Sequence, residues 1–151
     1  MIAWCQSLLR KLRSRGASVA APASAPQDDA DAEIRDVFLA ELADVTQALR
    51  SACADWRARP ADADALKRLR RGFHTLKGSA PLVGATALSE CCRQFEQLVS
   101  RFAERPATPD MVRVVEYAIQ LLPACADAIR AVRPLPPQLR AVTVQVRRYV
   151  G

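Results

Sequence analysis

The chain has 151 residues, half of them hydrophobic and only 5% aromatic, with a formal net charge of +6. This length suits one domain with a real core, and no apolar run approaches the roughly 18 residues of a membrane-spanning helix. One histidine and five cysteines without a Cys-x-x-Cys pair argue against a metal site or a secreted disulfide framework. We therefore expect a cytoplasmic protein with no metal. The basic charge lacks the interleaved aromatic residues or zinc-finger spacing of nucleic-acid binders, so no nucleic-acid partner is expected.

Residues 1–28 read as two segments without a core of their own. The first, residues 1–16, is basic and amphipathic, and it contains no acidic residue. It fits either a frayed terminus or a helix that lies on a membrane surface or a partner. The second is rich in Ala, Pro and Ser and has no apolar period, which is typical of a flexible linker.

Residues 29–132 carry a helical period, with apolar residues recurring at steps of three and four. The predicted helices run from Asp29 or Asp31 to Trp56, from a cap at Asp62 or Asp64 to Val83, from Thr86 to Phe102, and from Pro109 to about Ile129. Aspartate caps and a proline at a first helical position support these starts. Short connections favour antiparallel neighbours. The sequence therefore predicts an all-α protein, an antiparallel four-helix bundle with a flexible N-terminal segment and a short C-terminal tail.

Residues 133–151 begin with a proline-rich run and form the predicted tail. Val142, Val144 and Val146 alternate with other residues, which suits a short strand. No partner strand is visible, so a disordered tail is the other interpretation, and the sequence assigns this segment no role.

The second predicted helix carries the chain's one histidine, His74, on the side opposite its apolar stripe. A neutral imidazole is a good nucleophile near neutral pH. Lys77 and Gly78 lie three and four residues on, so both neighbour the ring on the helix surface. Lysine suits an anion attached to the ring. A mid-helix glycine costs about 1 kcal/mol relative to alanine, which suggests that something approaches the ring closely.

Pro81 follows this face of the helix by one turn. Proline cannot donate the hydrogen bond that the carbonyl of Lys77 would otherwise accept. We therefore expect a bend or an early end of the helix there.

The run His74-Thr75-Leu76-Lys77-Gly78-Ser79-Ala80, followed by Leu82-Val83-Gly84-Ala85, resembles the histidine phosphotransfer (HPt) domain of two-component phosphorelays. The longer run from Leu69 to Ala80 is similar to HPt modules of the large chemotaxis-type kinases of twitching motility. The resemblance covers about residues 31–132. It implies a helical bundle and a phosphoryl group carried on His74, at Nε2.

The resemblance also implies partners and roles for neighbouring residues. A response-regulator receiver domain would exchange the phosphoryl group between its aspartate and His74, and a histidine kinase or hybrid kinase would act upstream. Lys77 would stabilise the phosphate, and Gly78 would give the partner clearance. The expected partner-binding residues are Arg70, Arg71, Ser79, Pro81 and Leu82.

Other functions fit the sequence less well. The chain shows no P-loop or Gly-rich nucleotide loop, no Gly-x-Ser-x-Gly elbow and no second histidine. We therefore expect a phosphotransfer intermediate without cofactors or ATP-binding machinery, rather than an enzyme in its own right. Two alternatives remain: an HPt-like docking module that transfers no phosphate, and a detached HPt fragment of a chemotaxis-type histidine kinase.

Overall fold

The computed structural model describes residues 25–151, so the basic segment 1–16 and most of the predicted linker lie outside the described residues. Over that range the chain forms five α-helices and one 3₁₀ turn, with no strand. The helices are α1 (Ala25–Ala58), α2 (Ala63–Ser79), α3 (Thr86–Arg101), α4 (Pro109–Arg130) and α5 (Pro137–Val150). None of them combines the length and the apolar character that crossing a membrane requires. The predicted all-α class is confirmed.

The helices surround one core. Helix α2 packs against α1 on one side and α3 on the other, and α1 also packs against α4. Helix α5 contacts both α3 and α4 and so closes the bundle between them. The core contains Trp56 stacked on Phe102, with ring centroids 5.2 Å apart, at the end where α1 and α3 finish. The predicted helical bundle is confirmed, with one helix more than expected.

Local signals explain most of the boundaries. The carboxylate of Asp62 accepts hydrogen bonds from the backbone N–H of Asp64 and Ala65, at 3.0 and 3.1 Å. Of the two predicted caps of α2, Asp62 and Asp64, the first is therefore the cap. Thr108 caps α4, and Pro109 is its first residue. Two expectations were wrong. Helix α1 begins at Ala25 rather than at Asp29 or Asp31, and Thr86 is the first residue of α3 rather than its cap.

Pro81 ends α2 as the sequence predicted. The helix stops at Ser79, and the chain continues as a 3₁₀ turn over Ala80–Val83. Gly84 then takes a left-handed conformation, with φ of 71°, which reverses the chain toward α3. The carbonyl of Lys77 accepts a hydrogen bond from the hydroxyl of Ser89, at 2.7 Å. A side chain of α3 thus supplies a hydrogen bond that the Pro81 nitrogen cannot.

The C-terminal segment was predicted wrongly, because residues 137–150 form helix α5 instead of a strand or a disordered tail. Leu139, Val142 and Val146 are almost completely buried. They are spaced by three and four residues, so they share one helical face. Val144 is 49% exposed and lies on the other side. The alternation of valines therefore coincided with a helical stripe that packs on α3 and α4.

Helix α5 should contribute to stability mainly through its buried face. Leu139→Ala should lower the free energy of unfolding by about 2–5 kcal/mol, because it opens a cavity in the core. Val144→Ala, on the exposed face of the same helix, should change it by no more than about 0.5 kcal/mol. Urea unfolding followed by circular dichroism measures both. Equal, small effects of the two substitutions would mean that α5 does not belong to the core.

Candidate functional site

A buried aromatic stack sets the register between α2 and α3. The rings of Phe73 and Phe95 lie 5.4 Å apart with 26° between their planes, and both are at most 1% exposed. Each phenylalanine is followed by a polar residue, His74 on α2 and Glu96 on α3. Because the rings meet in the core, the residues that follow them meet at the surface edge of the same contact.

His74 and Glu96 form a hydrogen-bonded pair at that edge. The distance from His74 Nδ1 to Glu96 Oε1 is 2.8 Å. The imidazole is 64% exposed, whereas the carboxylate side chain is only 18% exposed. The half-buried carboxylate of Glu96 therefore fixes the orientation of the ring through Nδ1, and most of the ring surface remains exposed to solvent.

Lys77 holds the other oxygen of the same carboxylate, with its Nζ 2.6 Å from Glu96 Oε2. Burial raises the pKa of Glu96, but the hydrogen bonds and charges of Lys77 and His74 outweigh it, and the net result is a pKa below the ordinary value. Glu96 is thus ionised at neutral pH and only accepts hydrogen bonds. Nδ1 of His74 must then carry the proton in this contact, which leaves the lone pair of the neutral ring on Nε2.

Basic residues surround the exposed side of the ring. A depression of about 330 Å³ lies beside His74 and is lined by Lys67, Arg70, Arg71, His74, Glu96 and Ser100. Arg70 and Arg71 are exposed, as the sequence predicted for this helix face. Together with Lys67 they place three positively charged side chains around the depression beside the ring. The structure brings these cations and His74 to one surface.

The two glycines of α2 have different structural roles. A Cβ on Gly72 would lie 2.5 Å from Cδ2 of Leu49, so Gly72 allows α1 and α2 to approach closely. Gly78 is exposed, and a Cβ there would meet nothing within 4 Å. Packing inside the described chain therefore does not require glycine at position 78.

The other predicted partner-binding residues separate into exposed and buried positions. Pro81 is exposed and Leu82 is half-buried, so both reach the surface beyond Gly78. The prediction for Ser79 was wrong. Its side chain is 1% exposed, and its hydroxyl donates to the carbonyl of Thr75 at 3.0 Å. Ser79 stabilises the end of α2 from inside and contributes no surface to a partner.

Sequence reasoning missed Glu96, which is the residue that orients the histidine. A signal for it existed in the tight turn at Gly84. His74 precedes that glycine by ten residues and Glu96 follows it by twelve, so an antiparallel pairing of the two helices brings them opposite each other. The carboxylate among the polar residues of that part of α3 was the natural partner of an exposed imidazole.

The four cysteines within the described residues offer no competing chemistry. Cys53, Cys91, Cys92 and Cys125 are free and buried. Burial raises the pKa of the Cys91 thiol to about 11 and that of Cys125 to about 12, so neither forms a reactive thiolate at neutral pH. Residues 25–151 also contain no cluster of three or more His, Cys, Asp or Glu side chains placed to hold a metal ion.

Comparisons with known proteins identify the family of this chain. The family model of the Hpt domain matches residues 33–132. Sensor histidine kinase CheAY from Helicobacter pylori is 30% identical over 100 residues, which are 65% of this chain but only 12% of that protein. No solved structure matches significantly. Hpt domains are the histidine phosphotransfer modules of two-component phosphorelays, in which they interact with kinases and response regulators. The family model covers well over half of the chain and includes the histidine, its carboxylate partner and the lysine, so the chain belongs to the Hpt domain family.

Proposed function

We propose that the protein is a phosphorelay intermediate that carries a phosphoryl group on Nε2 of His74. It exchanges that group with the aspartate of a response-regulator receiver domain. A histidine kinase or hybrid kinase acts upstream of this exchange. The observation that carries the proposal is the hydrogen bond from His74 Nδ1 to Glu96 on an imidazole that is 64% exposed. This hydrogen bond occupies Nδ1, so it supports Nε2 as the nucleophile, on a side chain that is mostly exposed.

The transfer step follows from this orientation. The lone pair on Nε2 forms a bond to phosphorus, while the bond from phosphorus to the aspartate oxygen breaks and its electron pair stays on the carboxylate. No proton has to leave the ring, which becomes a phosphorylated imidazolium with its hydrogen still on Nδ1. The reverse step returns the phosphoryl group to an aspartate by the same atoms.

Glu96 supports this step electrostatically. The ring gains positive charge as the new bond forms, and the carboxylate 2.8 Å from Nδ1 stabilises that charge. Hydrogen bonds that involve a charged group contribute about 1.5–3 kcal/mol, which is more than a neutral pair provides. Glu96 is therefore a positioning residue that also offsets the charge on the ring.

Lys77 has two roles in the proposal. In the unphosphorylated protein its ammonium group pairs with Glu96 and lowers the pKa of that carboxylate. Its side chain is still 31% exposed and lies one helical turn from the ring, within reach of a phosphoryl group on His74. An added phosphate has about two negative charges at neutral pH and accepts charge-assisted hydrogen bonds from such a cation.

Gly78, Pro81 and Leu82 form the proposed contact surface beyond the ring. The partner's aspartate must come within bonding distance of Nε2, so the adjoining helix face must be open. The empty space around Gly78 supports this, because no packing among residues 25–151 accounts for the glycine. Pro81 and Leu82 add apolar surface of the kind that forms the centre of a transient interface.

The proposal places the protein in the cytoplasm, where free thiols such as its four described cysteines are the usual state. We also propose that the chain has no ATP-binding machinery and receives a phosphoryl group activated elsewhere. The match to 12% of CheAY supports a second arrangement, in which the same site works as one module of a chemotaxis-type kinase. The chemistry at His74 is the same in both arrangements.

His74→Gln should abolish phosphorylation of the protein by a phosphorylated receiver domain, since glutamine offers no nucleophilic ring nitrogen. The acid-labile phosphate bound to the protein is the measurement, and circular dichroism checks that helix content is unchanged. Arg140→Gln, which replaces an exposed residue of α5, should be phosphorylated to the same level as the wild type. Acid-labile labelling of the His74→Gln protein at the wild-type level would place the phosphoacceptor elsewhere.

Gly78→Phe should slow transfer from a receiver at least tenfold while the bundle stays folded, because the new ring occupies the space reserved for the partner. Gly78→Ala is the matched control. Its Cβ meets nothing within 4 Å, and it should stabilise α2 by up to about 1 kcal/mol with little loss of transfer. Transfer rates come from rapid mixing with a phosphorylated receiver. A wild-type rate in Gly78→Phe would show that the receiver docks on another face.

A further inference from the structure

A second depression continues the surface beside His74 toward the end of the bundle. It has a volume of about 660 Å³, and it lies where α2 begins and α3 ends. Lys67, Arg70 and Ser100 line both this depression and the one beside His74. The two depressions therefore adjoin, and together they are called the α2–α3 groove, with His74 at one end.

The far end of the α2–α3 groove is apolar. Its floor consists of side chains from the core, Leu66, Val99 and Phe102, and exposed Pro60, Ala63 and Pro106 stand at its rim. Small side chains at the rim keep this end open. The core side chains at the floor offer apolar contacts to a side chain that enters from outside.

The middle of the groove is cationic. Lys67, Arg70 and Arg71 are exposed and make no ion pair within the described residues, whereas Arg68 on the same helix pairs with Asp55 and Asp64. Two carboxylates also line the groove. Glu96 is already shared by His74 and Lys77, and Glu104 lies at the apolar end. Among the described residues, neither carboxylate forms an ion pair with Lys67, Arg70 or Arg71, so the positive charges in the middle outnumber the negative charges of the groove.

We propose that the α2–α3 groove is a docking surface for an acidic protein partner, which lays acidic residues over Lys67, Arg70 and Arg71 and an apolar residue into the far end. This inference rests on the proposed function, because the partner that fits is the receiver domain that reacts with His74. Charge complementarity decides the occupant. A second copy of this chain, with a net charge of +6, and its own basic segment 1–16 both have the wrong sign.

The proposal makes the groove a determinant of partner choice. Exposed charges of opposite sign act mainly on the rate of encounter, by factors of about 10 to 1,000. They also act over roughly a Debye length, about 8 Å at physiological salt. An acidic receiver should therefore react faster than a neutral or basic one, and salt should reduce that advantage.

The test measures phosphotransfer to the full chain from a panel of purified receiver domains that differ in net surface charge, at about 50 and 200 mM salt. The rate at which phosphoramidate phosphorylates each variant is measured in parallel. Each transfer rate is divided by this rate, which corrects for differences in the reactivity of His74 itself. The wild type should react fastest with the acidic receivers at low salt. Arg70→Glu should slow transfer from the acidic receivers about tenfold and remove most of the salt dependence of that rate. Arg140→Glu on α5, with the same change of charge, should behave like the wild type.

Ala63→Glu tests the far end of the groove. A carboxylate at the first residue of α2 suits the helix N-terminus, so the fold should be retained. It should nevertheless slow the acidic receivers, because it places a like charge and extra volume where the apolar residue docks.

The outcomes separate the two proposals. Absence of phosphoramidate labelling and of transfer in the wild type would refute the proposed function. Normal transfer with equal rates across the panel, or equal losses in Arg70→Glu and Arg140→Glu, would overturn the docking surface alone. A wild-type rate in Ala63→Glu would show that the partner does not use the apolar end.

Discussion

The contact between Phe73 and Phe95 is the constraint on which the rest of the site depends. Two buried rings 5.4 Å apart fix how far α3 slides along α2. Such aromatic pairs add about 0.5–1.5 kcal/mol beyond the area they bury. The larger consequence is geometric, since the next residue of each helix is placed by the same contact. One residue of slip would turn Glu96 away from His74 and leave the imidazole without an orienting partner.

In the resulting site, the negative charge of Glu96 is shared between His74 and Lys77. Each carboxylate oxygen of Glu96 has its own partner, Nδ1 of His74 and Nζ of Lys77. The lysine lowers the pKa of the carboxylate, and the ionised carboxylate in turn keeps the proton on Nδ1. A phosphoryl group on Nε2 would add a second anion within reach of Lys77. The same three side chains then serve the free and the phosphorylated protein.

Much of the fold could be predicted from the sequence because it depends on local signals. The helical period, the cap at Asp62, the proline at the start of α4 and the end of α2 at Pro81 all act within a turn or two of the residues concerned. His74 was placed on the solvent side by its position relative to the apolar stripe. Glu96 was missed because its role appears only when two helices are paired in register.

Helix α5 and Ser79 were predicted wrongly because a local pattern or motif does not reveal which side chains the tertiary structure buries. The valines of α5 alternate like a strand, yet Val142 and Val146 face α3 and α4 while Val144 faces solvent. Tertiary packing overrides the β-propensity of valine there. Ser79 belongs to a run that resembles a functional motif, but its hydroxyl bonds to the backbone inside the bundle. A motif alone does not separate residues that contact a partner from residues that complete the helix.

Nitrogen-resolved NMR of His74 can determine which ring nitrogen is protonated and which is phosphorylated. Because His74 is the one histidine in the chain, its two ring nitrogens can be assigned without ambiguity. Long-range nitrogen–proton spectra report which nitrogen is protonated, and phosphorus–nitrogen coupling reports which is phosphorylated. We expect a proton on Nδ1 in the neutral ring and a phosphoryl group on Nε2 after transfer. A phosphoryl group on Nδ1, or a neutral ring protonated at Nε2, would contradict it.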